Sequence, residues 1–508
     1  MKTASDSESG TQTRHLSKLV PNSKWGLLII AWITAIANPT SGGYEASMMG
    51  TVVGLDIYVD YFGLTTSNSG LNNASIFMGA FAIIPFVQVL ADKYGRRFCI
   101  FFATTFMVIG VIVQSTSHKY AQFIVGRVIA GVGNCLMNAT APALVSEIVA
   151  EEIRGAVVGT FHSCFYVGSL IAAGVTYGTR NIDSNWCWRA PMVVQLAPAL
   201  LCYICLAFVP ESPRWLVSKG RETEAKEIWD IVYEHDELRV ERVLGEVYES
   251  LHAETTIYND ANIWKELVSS KANLRRLFIM LSLAWCGELS GSSVATYYIT
   301  TILEQAGVTD VNTQLQIAII RSAFCLVCAG FGCYTFDIIG RRIQALISMG
   351  GEVVCLLILG GLVKQFGGST NTSGQYGAVA MMFIFSGFYS YCFTPLLCLY
   401  PSEIFPNRTR AAGLAFFQFA DYGCALFTTF ILPIAMSNLG WKFYILNGSY
   451  NIVFLPCIYF FWAETRGLQL EMVADLFGDG VDRVHEIEGD HTASGSVEVI
   501  DVANELKA

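Results

Sequence analysis

Charge is what this sequence has least of. Asp, Glu, Lys and Arg make up 15% of its 508 residues, where a soluble domain carries roughly a quarter. A water-soluble globule of this length is therefore not the simplest reading. No basic patch stands out, which argues against a nucleic-acid footprint. The formal net charge is -10, and much of it lies after Glu464, in a polar, acidic tail. No Gly-Lys dipeptide occurs, so the phosphate loop of an ATP-driven pump is missing. Fifteen cysteines fall mostly inside apolar blocks. The two Cys-x-x-Cys spacings, Cys202 with Cys205 and Cys325 with Cys328, have no His or Cys partner set nearby and read as small apolar residues in helices. Cys187 is the one extramembrane candidate, and alone it makes no internal disulfide. No metal-ligand set and no nucleophile–base set stands out, so an enzyme is not expected. No selectivity-filter repeat speaks for a channel. The first apolar block is too long for a signal-peptide core and no cleavage-like site follows, so the N-terminus is expected to be uncleaved.

What the sequence has is hydrophobic residues, 53% of the total, giving a mean hydropathy of +0.45. They cluster in blocks long enough for a bilayer core, which takes about 20 helical residues. Spans are expected near 25–52, 72–91, 98–116, 120–146, 155–177 and 190–209, then near 275–302, 313–336, 343–363, 375–401, 411–436 and 441–463. This makes an all-α membrane protein with twelve transmembrane helices. A short tail, 1–24, precedes a first six-helix bundle, 25–209. A second bundle, 275–463, is followed by the acidic tail 464–508. The connection 210–274 is rich in Glu, Lys and Arg with spaced apolar residues such as Ile228, Trp229, Val232 and Tyr233, the pattern of short amphipathic helices on a membrane face.

Loop charge sets the orientation. Lys93, Arg96, Arg97, Arg154, Arg214, Arg341, Arg342, Arg408 and Arg410 all fall on one side, whereas 51–70 and 303–312 hold no Lys or Arg. The positive-inside rule places the basic side and both termini in the cytosol. The Asn371 sequon then falls outside as a glycosylation candidate. The halves also repeat. Asp92-Lys-Tyr-Gly95-Arg96-Arg97 matches Asp337-Ile-Ile-Gly340-Arg341-Arg342. Ser146-Glu147 with Arg154 matches Ser402-Glu403 with Arg410, and Glu211-Ser-Pro-Arg214 is echoed by Glu464-Thr-Arg466. Asp337 lies 245 residues after Asp92, Glu403 lies 256 after Glu147, and Glu464 lies 253 after Glu211. Three charged motifs in one order at nearly one offset imply two pseudo-symmetric six-helix bundles with a site between them at mid-depth.

These motifs, with Arg127-x3-Gly131-x-Gly133, Pro210 to Trp215, Tyr400-Pro-Ser-Glu403 and Glu464-Thr-Arg466-Gly467, resemble the major facilitator superfamily and, within it, the sugar porter family. Leu289-Ser-Gly291 and Tyr297-Tyr298 resemble that family's seventh helix. Thr394-Pro-Leu-Leu and Trp441-Lys-Phe-Tyr444 are similar to its fungal lactose-permease-like branch. The resemblance covers about residues 25–480. It implies the major facilitator fold, no cofactor, and a proton as coupling ion.

The charged rim residues Asp92, Gly95, Arg96, Arg97, Glu147, Arg154, Glu211 and Arg214, and their counterparts Asp337, Gly340, Arg341, Arg342, Glu403, Arg410, Glu464 and Arg466, read as a cytosolic gate. Their carboxylates and guanidinium groups can pair across the halves when that side is closed. Exposed pairs are worth only about 0–1 kcal/mol each, which suits a balance between two conformations. Helix capping with topology signalling is the plainer alternative. Gly126, Gly131 and Gly133 read as close packing of the fourth helix.

Ionisable residues inside spans are site candidates by default. Glu45 and Arg127 both fall about 10 Å below the outer surface at 1.5 Å per residue, so they can pair. The resemblance implies that the acid carries the coupled proton and the Arg tunes it; a static ion pair is the alternative. Glu288 matches a sugar-binding Gln of the family, Ser293 a later Asn, His162 another Gln, and Asp421 an Asn with Tyr422 after it. Gly287 replaces a further Gln, and Arg321 is an extra charge in the eighth span. Several neutral amides, which both donate and accept hydrogen bonds, have thus become acids, His, Gly or Ser.

The expected function is secondary active transport of a small solute across a lipid bilayer by alternating access, with proton-coupled uptake of a hexose or disaccharide at the plasma membrane first. In that case Glu288 and Asp421 accept sugar hydroxyls. An organic acid or specialised metabolite, carried outward, is second, with Arg321 facing an anion. A transporter-like nutrient sensor is third. The expected partners are the solute and the bilayer, with no nucleic acid and no ATP, and a monomer suffices.

Overall fold

The computed structural model describes residues 15–17, 19–260, 263–406, 409–468, 473 and 476–477; the side chains of 67, 151–156, 158–160, 250, 252–260, 263 and 411 are outside the description. Arg154 is among those side chains, and Arg408 lies in an undescribed stretch.

A chain inside hydrocarbon must satisfy its own backbone, so long apolar blocks fold as helices. Among the described residues, eleven helices are long and apolar enough to cross a membrane. In chain order the long helices are α1 Lys24–Val52, α2 Thr66–Tyr94, α3 Arg96–Ser115, α4 Tyr120–Ile148, α5 Glu151–Thr179 and α6 Trp186–Leu206. The second set is α7 Lys271–Leu289 with its continuation, α8 Val311–Ile339, α9 Arg341–Phe366, α10 Thr372–Ile404, α11 Arg410–Leu439 and α12 Lys442–Phe461. The helix absent from the eleven is α5, which is 29 residues long and packs lengthwise on α1 and α8. Large apolar side chains such as Val89, Ile204, Val327, Phe331 and Phe460 remain exposed around the bundle, as a lipid-facing surface requires. Most helices begin or end several residues beyond the expected spans. Their polar ends continue the backbone ladder past the apolar block that marks each span.

Within the first half, α3 and α2 pack on α4, and α5 on α1; within the second, α9 and α8 pack on α10, and α7 on α11. The halves meet along α2 with α11 and α5 with α8. Small residues let the backbones touch. A Cβ on Gly131 would stand 1.9 Å from the Ile76 carbonyl, and one on Gly43 1.8 Å from the Phe165 carbonyl. These contacts place α4 against α2 and α1 against α5, close packing of the kind expected for Gly131. Gly133 does the same against Ala103 of α3.

Three spans are interrupted, α12 at Ile452 and Val453, between helices Lys442–Asn451 and Phe454–Phe461. In α6, Gln195 separates helices Trp186–Val194 and Leu196–Leu206; Pro198 just beyond lacks the N–H that would bond the Val194 carbonyl. Expected as one helix near 275–302, α7 instead ends at Leu289 and resumes as Ser292–Tyr297 and Ile299–Gln305. Gly291 has φ +114 there, a conformation that side-chain-bearing residues rarely adopt. The freed carbonyls are met by neighbours. Ser292 Oγ donates to Gly287 O at 2.8 Å, Asn451 Nδ2 to Ser290 O at 2.8 Å, and the Tyr450 hydroxyl to Leu289 O.

The connection after α6 folds as helices Pro213–Ser218, Glu222–Val232, Glu237–Asp260 and Ile263–Ser269. Ala225, Ile228, Trp229 and Val232 are buried in a core shared with the first half, so that amphipathic face lies on protein. Upstream of α1, the His15 and Leu16 amides donate to the Glu227 carboxylate at 2.8 and 2.9 Å. Cys187, expected outside the spans, is 1% exposed within α6, because α6 starts earlier than the hydropathy suggested.

Candidate functional site

At the basic rim each half carries one charge network. In the first half, Arg96 meets Glu147 at 3.3 Å and Asp92 at 3.7 Å. Glu211 accepts from the backbone amides of Arg96, at 2.8 Å, and Arg97, at 3.0 Å. In the second half, Arg341 meets Glu403 at 2.8 Å and Asp337 at 3.0 Å, and Glu464 accepts from the amides of Arg341, at 2.9 Å, and Arg342, at 3.1 Å. Gly95 and Gly340, at φ +93 and +97, turn the chain between helices and leave room for Glu211 and Glu464: a Cβ would stand 2.4 and 2.6 Å from their Oε2 atoms. Each of these pairs lies within one half. Burial favours the neutral form of Glu211, while the amides of Arg97, Ser212 and Arg96 favour its charge. Arg410 donates to Phe405 O at 3.3 Å and comes within electrostatic reach of Arg214 from the other half. Arg466 is exposed beside Glu464.

The opposite rim is closed. A Cβ on Gly50 would stand 2.2 Å from Thr296 O, one on Gly54 2.7 Å from Thr300 Cγ2, and one on Gly70 2.5 Å from Phe430 O. Thr300 Oγ1 donates to Gly50 O at 3.4 Å, and Gln316 Nε2 to the Tyr177 hydroxyl at 3.1 Å. Asn371, exposed on this side, caps α10 through Gly374 N at 3.2 Å.

Between the rims lies a buried ion pair. Arg127 Nη1 of α4 stands 3.2 Å from Glu45 Oε1 of α1, with side-chain exposures of 0% and 2%. Gln195 Nε2 at the α6 interruption donates to Glu45 Oε2 at 3.3 Å, and Arg127 Nε donates to Ser75 Oγ of α2 at 3.1 Å. Four helices thus converge on one pair. Gln195 was visible as a lone amide in an apolar run; nothing in the sequence singled out Ser75.

The second half supplies acids without such a partner. Glu288 of α7 accepts from Ser293 Oγ at 2.9 Å. Asp421 of α11 is within electrostatic reach of Glu288, and its Oδ1 is buried without a partner. Tyr389 of α10 faces both acids and Ser292. Tyr422 accepts from Asn138 Nδ2 of α4 at 3.2 Å, joining the halves, and its ring lies 6.4 Å from that of Phe77, which is 6.0 Å from Tyr297. Tyr297 comes within electrostatic reach of Glu288, Arg127 and Glu45 together. The structure therefore gathers Glu45, Arg127, Glu288, Ser293, Asp421 and Tyr422 around one centre, and adds Phe77, Tyr389 and Asn138. Arg321 is instead the neighbour of Tyr166 and Cys325, with its Nε unpartnered. His162, half-buried on α5, has an unpartnered Nδ1, and among the described residues no contact joins it to the acids.

Two like halves with a polar centre, closed at one rim, define a membrane carrier of the major facilitator fold. That fold is shared with the xylose transporter XylE from E. coli in a partially occluded inward-open conformation, at TM-score 0.73 and 22% identity over 87% of this chain and 99% of that one. A sequence model described as sugar (and other) transporter matches residues 30–477, and the chain belongs to that family. Its relatives include the high-affinity glucose transporter of Kluyveromyces lactis, 28% identical over 90% of this chain and 86% of that protein. Another is the MFS-type transporter oryC of Aspergillus oryzae, 29% identical over 80% and 76%. The chain is accordingly a multi-pass membrane transporter for a small solute and not an enzyme.

Proposed function

We propose that this carrier moves a neutral hexose or disaccharide inward with a proton. One observation carries the reading: Tyr297 comes within reach of the Glu45–Arg127 pair and of Glu288, which is itself within reach of Asp421. A proton taken up by Glu45 releases Arg127, and the loss of that pair is felt one side chain away from the solute. Glu288, Asp421 and Ser293 offer acceptors for hydroxyl groups, and Phe77, Tyr297 and Tyr422 offer rings to a sugar face. The similarity to a glucose transporter supports the cargo class. In this reading the bundles 25–209 and 275–463 rock about the centre, and the rim networks of Arg96 and Arg341 tie each bundle into one body. The basic rim, with both termini, faces the cytosol, the membrane is the plasma membrane, and Asn371 is glycosylated.

A specialised metabolite is the second reading. It is favoured by the acids that stand at the centre where an uncharged amide set would suit a sugar. An organic acid gains less support, since Arg321 is reached by Tyr166 and Cys325 and the central acids would repel an anion. A nutrient sensor rests on the tail 464–508, nearly all of which lies outside the described residues.

Thermal stabilisation of the purified carrier separates these. A ligand of the folded state adds RT ln(1 + [L]/Kd) to its stability. Hexoses or disaccharides that raise the melting temperature at millimolar concentration, and that enter proteoliposomes with protons, support the sugar reading. Stabilisation by acids alone overturns it and makes Arg321 and His162 the residues to mutate.

A further inference from the structure

A third acid of the second half has no part in the site above. Glu352 is 0% exposed in the interior of α9, where an ionisable group is costly and demands a partner. Among the described residues no ion pair reaches it. The titratable groups that face it are thiols: Cys286 of α7, Cys355 on its own helix and Cys392 of α10. On α12 the neutral amide Asn451 donates to the carbonyl of Ser290, the neighbour of Glu352, and to Asn447 Oδ1.

Counting hydrogens shows what the carboxyl carries. Ser348 Oγ lies 2.6 Å from Phe388 O and 3.1 Å from Glu352 Oε1. Ser348 has one hydroxyl hydrogen, and a carbonyl can only accept. The shorter contact takes that hydrogen, so the contact to Oε1 is attractive when the carboxyl itself donates to Ser348 Oγ. On the other side, Ser290 faces the carboxyl, yet Ser290 Oγ and Glu352 Oε2 are both buried without a hydrogen-bond partner. A carboxylate here would have two oxygens and at most the Ser290 hydroxyl to serve them.

We propose that Glu352 is a second proton-binding site, occupied in this conformation, whose neutral form leaves the break in α7 undisturbed. Ser290 immediately precedes Gly291, the positive-φ residue of that break, and its carbonyl is tied to Asn451. Beyond the break, Thr296 and Thr300 lie against Gly50 and Gly54 and close the rim opposite the basic one. Losing the proton leaves a buried charge that draws the Ser290 hydroxyl and any water toward it. That loosens the hinge and frees segment 292–305 from α1. Since the closed arrangement binds the proton and the loosened one does not, falling pH favours closure of that rim and rising pH favours its opening.

The test uses the full chain in lipid nanodiscs with Glu45→Gln as background, so the first acid no longer titrates. Infrared spectroscopy reads protonated carboxyl groups, and hydrogen exchange, corrected for its intrinsic pH dependence, reads segment 289–305. Adding Glu352→Gln, which keeps the neutral shape, should remove one protonated-carboxyl band. It should also flatten a several-fold rise in exchange from mildly acidic to mildly alkaline pH. An unchanged band, or the same rise in both proteins, overturns the proposal. So does sodium-dependent stabilisation that vanishes with Glu352→Gln, which would mean a metal ion occupies the place of the proton. Should Glu352→Gln fail to fold, Ser348→Ala serves: loss of the acceptor must shift the carboxyl band, and a band that stays put overturns the geometry. Neither readout needs a substrate, so the outcome is independent of the cargo.

Discussion

The two halves are near copies at the basic rim and unlike inside. Asp92, Arg96, Glu147, Gly95 and Glu211 are answered one for one by Asp337, Arg341, Glu403, Gly340 and Glu464, down to the carboxylate that caps two backbone amides next to a positive-φ glycine. In the interior, the first half pairs its acid with a cation across an unbroken α1. Among the described residues, the second half holds Glu288, Asp421 and Glu352 without an ion-paired cation, beside a broken α7. The rims do the same job twice, tying helices into one body, so one solution serves both. The interiors divide the labour. One is arranged around a charge that is compensated, the other around groups that need a hydrogen from elsewhere.

The comparison breaks most sharply at Arg127. Arg127→Leu strands Glu45 at 2% exposure, and removing one partner of a buried pair costs about 3–5 kcal/mol. The melting temperature should fall steeply, and adding Glu45→Gln should restore part of it. If Arg127→Leu alone is as stable as wild type, the pair is not what holds α1, α2, α4 and α6 together. Next is Glu45→Gln, for which proteoliposomes with an imposed pH gradient should lose solute accumulation while exchange of solute across the membrane persists. Accumulation that survives would remove Glu45 from coupling and shift attention to the acids of the second half.

The hinge asymmetry gives a third test. Gly291→Ala forces a side chain to φ +114 with its Cβ 2.9 Å from Asn447 Nδ2. Strain of about 1–3 kcal/mol is expected, seen as a lower melting temperature and slower turnover. A fourth test sharpens the likeness of the rims. Gly95→Ala and Gly340→Ala should each lower stability by about 1–3 kcal/mol and by nearly the same amount, since each Cβ meets a glutamate carboxylate in the same way. Unequal losses would show that the rims only look alike. The smallest effect is expected from Glu147→Gln against Glu403→Gln. Glu403 takes two contacts from Arg341 and one from Thr465, while Glu147 is held at 3.3 Å. Glu403→Gln should therefore be the worse of the two, by up to about 1 kcal/mol, in the same melting assay.

Much of the fold was legible before any coordinate. Hydropathy marked twelve spans because the bilayer acts on each block separately. The repeated Asp-Gly-Arg-Arg and Glu-x6-Arg motifs marked two halves because each motif is a local unit. Glu45 with Arg127, and Glu288 with Asp421, were legible as candidates for the same reason: charge inside an apolar block is visible one residue at a time. Glu352 carried the same signal, yet no motif pointed to it, and its meaning depends on Ser348 and Ser290.

By itself, then, the sequence determined the class of protein, the number of spans, the two halves and the side on which their charges lie, since these follow from local composition under a single solvent. Only the tertiary structure decided that the rim charges pair within each half, that α7 breaks at Gly291, that Arg321 stands by Tyr166 and Cys325, and that Gln195 and Ser75 complete the buried pair. Those facts join residues that are far apart in the chain. They rest on which backbones pack closely enough to touch, and that is settled by the fit of glycines and carbonyls between helices.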